Sequence, residues 1–259
     1  MIRLVRLLKP ADGMSDAALD AFRRDTLGPL VAAHQTDLCL SRYVQTHRCS
    51  SSQNAESAFL SLRIGAGNDF AGAEEFWWKD EVSALDTLTR KDGPYSQILR
   101  TQDGWIDPEA SICWLAVDYP QVAAALARVV AAPKSGILKL MFVISPLQGI
   151  GEAKACRYWV TEHGPIIRSL APARGALAYI QVHRQRAEVE AALQAAGLIA
   201  ESPFMGHAEA WFGDAGPLAG ADALAAIQAA VADEQKFIDW SRSLVLVGKE
   251  LVFVDRCWY

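Results

Sequence analysis

Two hexads in this chain carry the same polar side chains at the same spacing: YVQTHR from Tyr43 to Arg48, and YIQVHR from Tyr179 to Arg184. In an extended strand alternate side chains share a face. Tyr43, Gln45 and His47 therefore point one way, and Tyr179, Gln181 and His183 repeat the arrangement. A face bearing a phenol, an amide and an imidazole can give and take protons near neutral pH. It also needs partners, because an unpaired buried polar group costs about 1–3 kcal/mol. Two readings fit. The first is the wall of a polar-tipped pocket, with His47 and His183 as acid–base groups and the tyrosines and glutamines binding a substrate carbonyl or phenol. The second is a set of hydrogen-bonded bridges between two sheets, giving register rather than chemistry.

The other three histidines differ in setting. His163 shares a helical stripe with Trp159, Ile166, Ile167 and Leu170, which turns the imidazole inward. Desolvation there disfavours the charged form and leaves either a neutral base, with His163 as the principal acid–base residue, or a core histidine satisfied by a backbone carbonyl. His34 lies further along the equivalent stripe of Leu27, Leu30 and Val31 and is a weaker catalytic candidate. His207 opens the HAEAWF segment, alternating with Glu209 and Trp211, and a strand-entry histidine is expected to be exposed. Trp159 and Trp211 are the aromatic residues expected to stack on a ligand.

The elements that hold these residues repeat as well. Superposing Tyr43 on Tyr179 sets an offset of 136 (179 − 43), and the preceding residues match without a gap. Gly28 and Pro29 fall on Gly164 and Pro165, Gly13 on Gly149, and Leu4 on Leu140. Such matching of turns and apolar runs points to a duplicated unit. Each copy reads as strand, helix, strand, strand, helix, strand. The third strand is expected at SAFLSLRI and at HAEAWF, and helices are expected over FAGAEEFWWKDEVSALDTL and GADALAAIQAAVADEQKFIDW. The expected fold is α+β: two tandem ferredoxin-like βαββαβ units whose antiparallel sheets face each other. The halves would span residues 1–118 and 136–259, joined by a linker helix over 119–135.

Composition narrows the function. The 259 residues are 51% apolar with a net charge of −5, and no basic run carries interleaved aromatics, which argues against nucleic acid. No stretch reaches the roughly 20 apolar residues of a membrane helix. The opening MIRLVRLLKP reads as a strand rather than a signal. Five scattered cysteines without a CxxC pair suit a cytoplasmic protein. There is no GxGxxG, phosphate loop, HExxH or GxSxG, and the histidines lack metal-ligand spacing, so neither an organic cofactor nor a metal is expected.

At YWVTEHGPIIR and DEQKFIDWSRSLVLVGKELVF the second half resembles the EthD-like branch of the dimeric α/β-barrel superfamily. The resemblance covers most of residues 136–256. It implies a barrel of two ferredoxin-like units, here supplied by one chain. The resemblance implies a superfamily of cofactor-independent cyclases, decarboxylases, isomerases, dehydratases and oxygenases acting on aromatic or polyketide-like molecules, which also includes haem enzymes and members with no known activity. His163 completes the His-Gly-Pro signature, whereas the first copy has Leu27 at that position. The expected function is cofactor-free acid–base catalysis on a hydrophobic, aromatic or polycyclic molecule. The alternatives are a cofactor-free oxygenase acting on a phenol, or a non-catalytic carrier of small molecules. A homodimer is a further expectation.

Overall fold

A computed structural model describes residues 1–49, 63, 70–123, 128–185, 188–195, 202–213 and 220–256. Eight antiparallel strands carry the fold: β1 Ile2–Leu8, β2 Arg42–Arg48, β3 Gly72–Trp78, β4 Ile112–Val122, β5 Ile137–Ile144, β6 Ala178–Arg184, β7 Gly206–Gly213 and β8 Leu244–Asp255. They close into one barrel in the order β1-β3-β2-β8-β5-β7-β6-β4. The strands of the first half thus lie β4-β1-β3-β2, and those of the second half β8-β5-β7-β6.

The closure differs from two sheets stacked face to face. The halves join edge to edge, through β2–β8 and β4–β6, with Gln45 opposite Leu251 and Tyr119 opposite Gln181. Edge pairing satisfies backbone groups that two open sheets would leave unpaired. It also replaces part of the expected linker helix with strand. Residues 119–122 extend β4 to meet β6, and 123 and 128–136 contain no helix among the described residues.

A second correction concerns β3. The expected third strand, SAFLSLRI, lies outside the described residues apart from Arg63, and GAEEFWW, read from sequence as helix, is the strand. All seven of its residues are buried. Ala73, Glu75 and Trp77 point into the barrel, while Glu74, Phe76 and Trp78 point to the helices. With both faces covered there is no polar–apolar alternation to betray a strand. The expected helix begins only after it, at Glu81.

Helices pack on the outside. The first half carries α1 Asp16–Phe22, a π-helical turn at Arg23–Leu27, α2 Gly28–Ala33, α3 Glu81–Thr89 and α4 Pro94–Arg100. The second carries α5 Glu152–Tyr158, a π-helical turn at Trp159–His163, α6 Gly164–Arg174, α7 Glu188–Ala195 and α8 Ala221–Glu234. Each half carries an apolar layer between helices and sheet, and Leu193 of α7 and Val254 of β8 join the layer of the first half. A third apolar cluster, including Val5, Trp114, Met141 and Leu246, fills one end of the barrel interior.

The two π turns sit 136 residues apart and each runs into Gly-Pro. Pro29 and Pro165 lack an N–H, and their rings crowd the preceding turn, which the wider coil relieves. A side chain at Gly28 would strike the Phe253 ring, and one at Gly164 would strike the Gln121 amide.

The π turns explain the glutamines of the hexads. Gln45 Nε2 donates to the Arg23 carbonyl at 2.9 Å, and Gln181 Nε2 donates to the Trp159 carbonyl at 2.8 Å. The YxQxH faces therefore lie beneath the helices and fasten each wide turn to its strand. Replacing Gln45 or Gln181 with Leu should cost about 1–3 kcal/mol in denaturant unfolding, because each change removes a donor from a buried site. A change below 0.5 kcal/mol for both would contradict that role.

Candidate functional site

The π turn of the second half delivers His163 to the space between helices and sheet, where it is 3% exposed. Its Nδ1 lies 2.8 Å from Asp233 Oδ2 at the end of α8. Asp233 also accepts from the Tyr158 hydroxyl at 2.7 Å and from Lys236 Nζ at 2.8 Å. Burial works against the Asp233 charge, but the hydrogen bonds from Lys236, Tyr158 and His163 hold its carboxyl below the ordinary range. An ionised Asp233 makes Nδ1 the protonated nitrogen of a neutral imidazole, leaving the Nε2 lone pair free. Burial lowers the His163 pKa, only partly offset by Glu234 and Asp233. Among the described residues Nε2 has no hydrogen-bond partner.

His163 lines a small cavity of about 20 Å³ with Trp159, Ile167, Arg174, Tyr179 and Trp240. Burial pushes the Tyr179 phenol up to about 12, so it stays a donor, and its oxygen accepts from Trp159 Nε1 at 3.3 Å. Arg174 is 5% exposed and its Nε has no hydrogen-bond partner. Arg63 reaches in from the first half, pairs with Glu234 at 2.7 Å, and lies over the Phe142 and Trp240 rings.

The repeat shows why this space exists in one half. Aligning Gly72 with Gly206 sets an offset of 134, which places Glu74 on Ala208 and Phe76 on Ala210. In the first half Glu74 takes Arg6 at 2.8 Å and the Tyr43 hydroxyl at 3.0 Å, while Phe76 packs on Tyr43 at 4.5 Å. Two alanines remove that filling in the second half.

The remaining candidates are spread over the molecule. His47 has both ring nitrogens engaged, Nδ1 to Asp20 and Nε2 to Gln45, each at 2.9 Å. His34 pairs with Asp37 at 3.4 Å near the surface, its side chain 39% exposed. The helix ends there and the ring turns away from the layer that holds Leu27. His183 stacks on Trp159 at 4.2 Å, across that ring from the cavity. Trp211 and His207 point into the barrel, on the opposite face of β7 from Ala208 and Ala210. His207 is fully buried rather than exposed. The sequence reading missed Asp233, Glu234 and Arg174; the acidic pair just ahead of Phe237 was the available signal.

Burial pushes His183 down to about 4. Between pH 6.5 and 4 the unfolded chain binds a proton that the folded chain refuses, so stability falls with acidification. The loss approaches ~3 kcal/mol by pH 4, at about 1.4 kcal/mol per unit. His183→Gln should flatten that part of the stability profile; an unchanged acid limb would contradict it.

Inside the barrel, Arg3 and Lys139 cross a ring of carboxylates. Arg3 meets Glu75 at 2.6 Å, Asp118 at 2.9 Å and Glu209 at 3.0 Å. Lys139 meets Glu75 at 2.6 Å, Glu209 at 2.7 Å and Glu250 at 3.3 Å. Burial and the Glu209 charge raise Glu75 to about 7, while Arg3 and Lys139 hold Glu209 low against burial. Glu75 and Glu209 face the same two cations and repel each other, so together they resist losing their last proton. Glu75, His207 and Glu209 lie close enough to share a metal ion, but two cations already hold the carboxylates. Above this ring opens a cavity of about 690 Å³. It is far larger than the space beside His163, yet no histidine lines it.

Residues 147–241, in the second half of the chain, match the family model of the EthD domain. No curated protein matches the chain. Among solved structures, one whose title names it a candidate chlorite dismutase is 8% identical. That match covers 96% of this chain and 95% of the other at a TM-score of 0.47. Among the described residues no helix is long and apolar enough to cross a membrane.

Proposed function

Proceeding from the EthD-like second half, we propose that this protein processes a small hydrophobic, aromatic molecule by acid–base catalysis, with His163 as the proton-transfer group. The observation that carries the reading is the His163–Asp233 pair, which presents a neutral imidazole with an unengaged Nε2 to a small space walled by aromatic rings and guanidinium groups. Nε2 removes a proton from the substrate, and Asp233 stabilises the imidazolium that forms. The Tyr179 hydroxyl and the under-paired Arg174 guanidinium meet the oxygen on which negative charge develops. Trp159, Ile167 and Trp240 hold the ring and exclude water. The Arg63 guanidinium occupies the place a substrate ring would take, so binding displaces it. Lyase or isomerase chemistry needs only these groups and no cofactor.

We propose also that the chain is a tandem of two ferredoxin-like units whose first copy has lost its site. The repeated strand order, the π turns 136 residues apart, and the Glu74/Ala208 and Leu27/His163 exchanges support this.

The test is incubation with a panel of phenolic and polyketide-like compounds, following each by mass and oxygen uptake. An isomerised or cleaved product without oxygen consumption is the expected outcome. Oxygen uptake during turnover would replace this mechanism with an oxygenase, and binding without chemical change would leave a carrier.

A further inference from the structure

The barrel cavity is separate from the His163 space and lies across the sheet from it. Tyr179, Ala208 and Ala210 face the helices, whereas Ala178, Ile180, Glu209 and Trp211 face the barrel. Trp77 and Trp211, related by the 134-residue offset, both line this cavity. Much of the remaining wall is apolar, from Val117, Pro120, Val122, Val129 and Ile180. The volume of about 690 Å³ is that of a drug-sized ligand site.

Its charges are unevenly satisfied. Arg3 and Lys139 are consumed by the carboxylates below them. Asp118 also receives Trp77 Nε1 at 3.3 Å, and Glu250 receives Trp211 Nε1 and the Ala131 amide, both at 2.8 Å. Arg42 is different. It lines the cavity at 7% exposure, lies over the Trp77 ring at 5.2 Å, and makes no hydrogen bond among the described residues. Among the described residues its Nε is buried without a hydrogen-bond partner, and its ion-pair contact, Asp255 at 3.9 Å, is beyond hydrogen-bond reach. The second copy has Ala178 in the equivalent place, so the repeat does not require this guanidinium. A guanidinium with a buried, unbonded Nε and no hydrogen bond from its terminal nitrogens is costly unless a ligand completes it.

We propose that the barrel cavity is a second binding site, for an aromatic monoanion such as an aryl carboxylate. Its anionic group meets Arg42 and its ring lies among Trp77, Trp211 and the apolar wall. A planar guanidinium binds a carboxylate through two parallel hydrogen bonds, which selects that group over a neutral one. The site does not depend on the chemistry assigned to His163.

The experiment compares three probes of one shape on the whole protein: 2-naphthoate, 2-naphthamide and 2-naphthylmethylamine. Binding is read by calorimetry and by quenching of tryptophan fluorescence. The naphthoate should bind with a Kd below about 1 mM and outbind the amide by about tenfold to hundredfold, the worth of a charged hydrogen bond. Arg42→Gln should abolish that preference and Arg42→Lys should keep part of it, while Arg174→Gln leaves it unchanged. The wild-type comparison stands even if a variant fails to fold. Equal binding of acid and amide, preference for the amine, or no binding at all would overturn the proposal. So would loss of the preference in Arg174→Gln but not in Arg42→Gln, which would place the ligand beside His163.

Discussion

Replacing His163 with Gln should lower turnover by about 10²–10⁴-fold, the usual contribution of a positioned general base, while the protein still unfolds cooperatively. Glutamine keeps a polar group next to Asp233 but cannot accept and release a proton at neutral pH. Asp233→Asn should also impair turnover, by a different route. The amide can donate to Nδ1, which moves the imidazole proton to Nε2 and removes the free lone pair. The wild-type rate should be flat from pH 8 to about 6.5. Because burial sets the His163 pKa below its ordinary value, the acid limb falls below pH 6.5. Full turnover by His163→Gln would remove the imidazole from the chemistry.

The second large effect is on stability. Arg3→Met should destabilise the fold by about 3–5 kcal/mol at pH 8, because it leaves Glu75 and Glu209 sharing a single lysine with Glu250 inside the barrel and takes the guanidinium away from Asp118. For a chain of this size that is a fall in Tm of roughly 10 °C. The deficit should shrink towards pH 5. Without Arg3 the carboxylates bind protons more tightly in the folded state, so the variant gains relative stability as pH falls. Arg3→Met within 1 kcal/mol of wild type at pH 8, by denaturant unfolding, would show that the ion cluster contributes little.

The repeat made the fold legible. An offset of 136 holds from β1 through the π turns to the YxQxH strands, and it correctly assigns their order and type. It fails at β3 because the intervening segment differs by two residues in length, so Gly72 matches Gly206 at 134. The shared Gly-x-x-Glu-x-Trp of GAEEFWW and GHAEAWFG would have exposed that strand and, with it, the paired Glu75/Glu209 and Trp77/Trp211 of the barrel interior.

The site was legible only in part. His163, Trp159 and Tyr179 come together as a helical stripe and an adjacent strand should bring them. The hexad face was the misleading signal. Alternation establishes that Tyr, Gln and His share a face but not which face is wet, and here the glutamine amides are drawn under the helices by the π-turn carbonyls. Asp233 was visible only as one of an acidic pair, and its partner was not, because the pairing with His163 spans 70 residues and depends on how α8 crosses the π turn.

A nitrogen-detected NMR titration of the His163 ring tests the central claim without needing the substrate. The account predicts a neutral imidazole protonated on Nδ1 at pH 7, with a midpoint below 6.5, and loss of that tautomer in Asp233→Asn. An imidazolium at pH 7, or a neutral ring carrying its proton on Nε2, would contradict it.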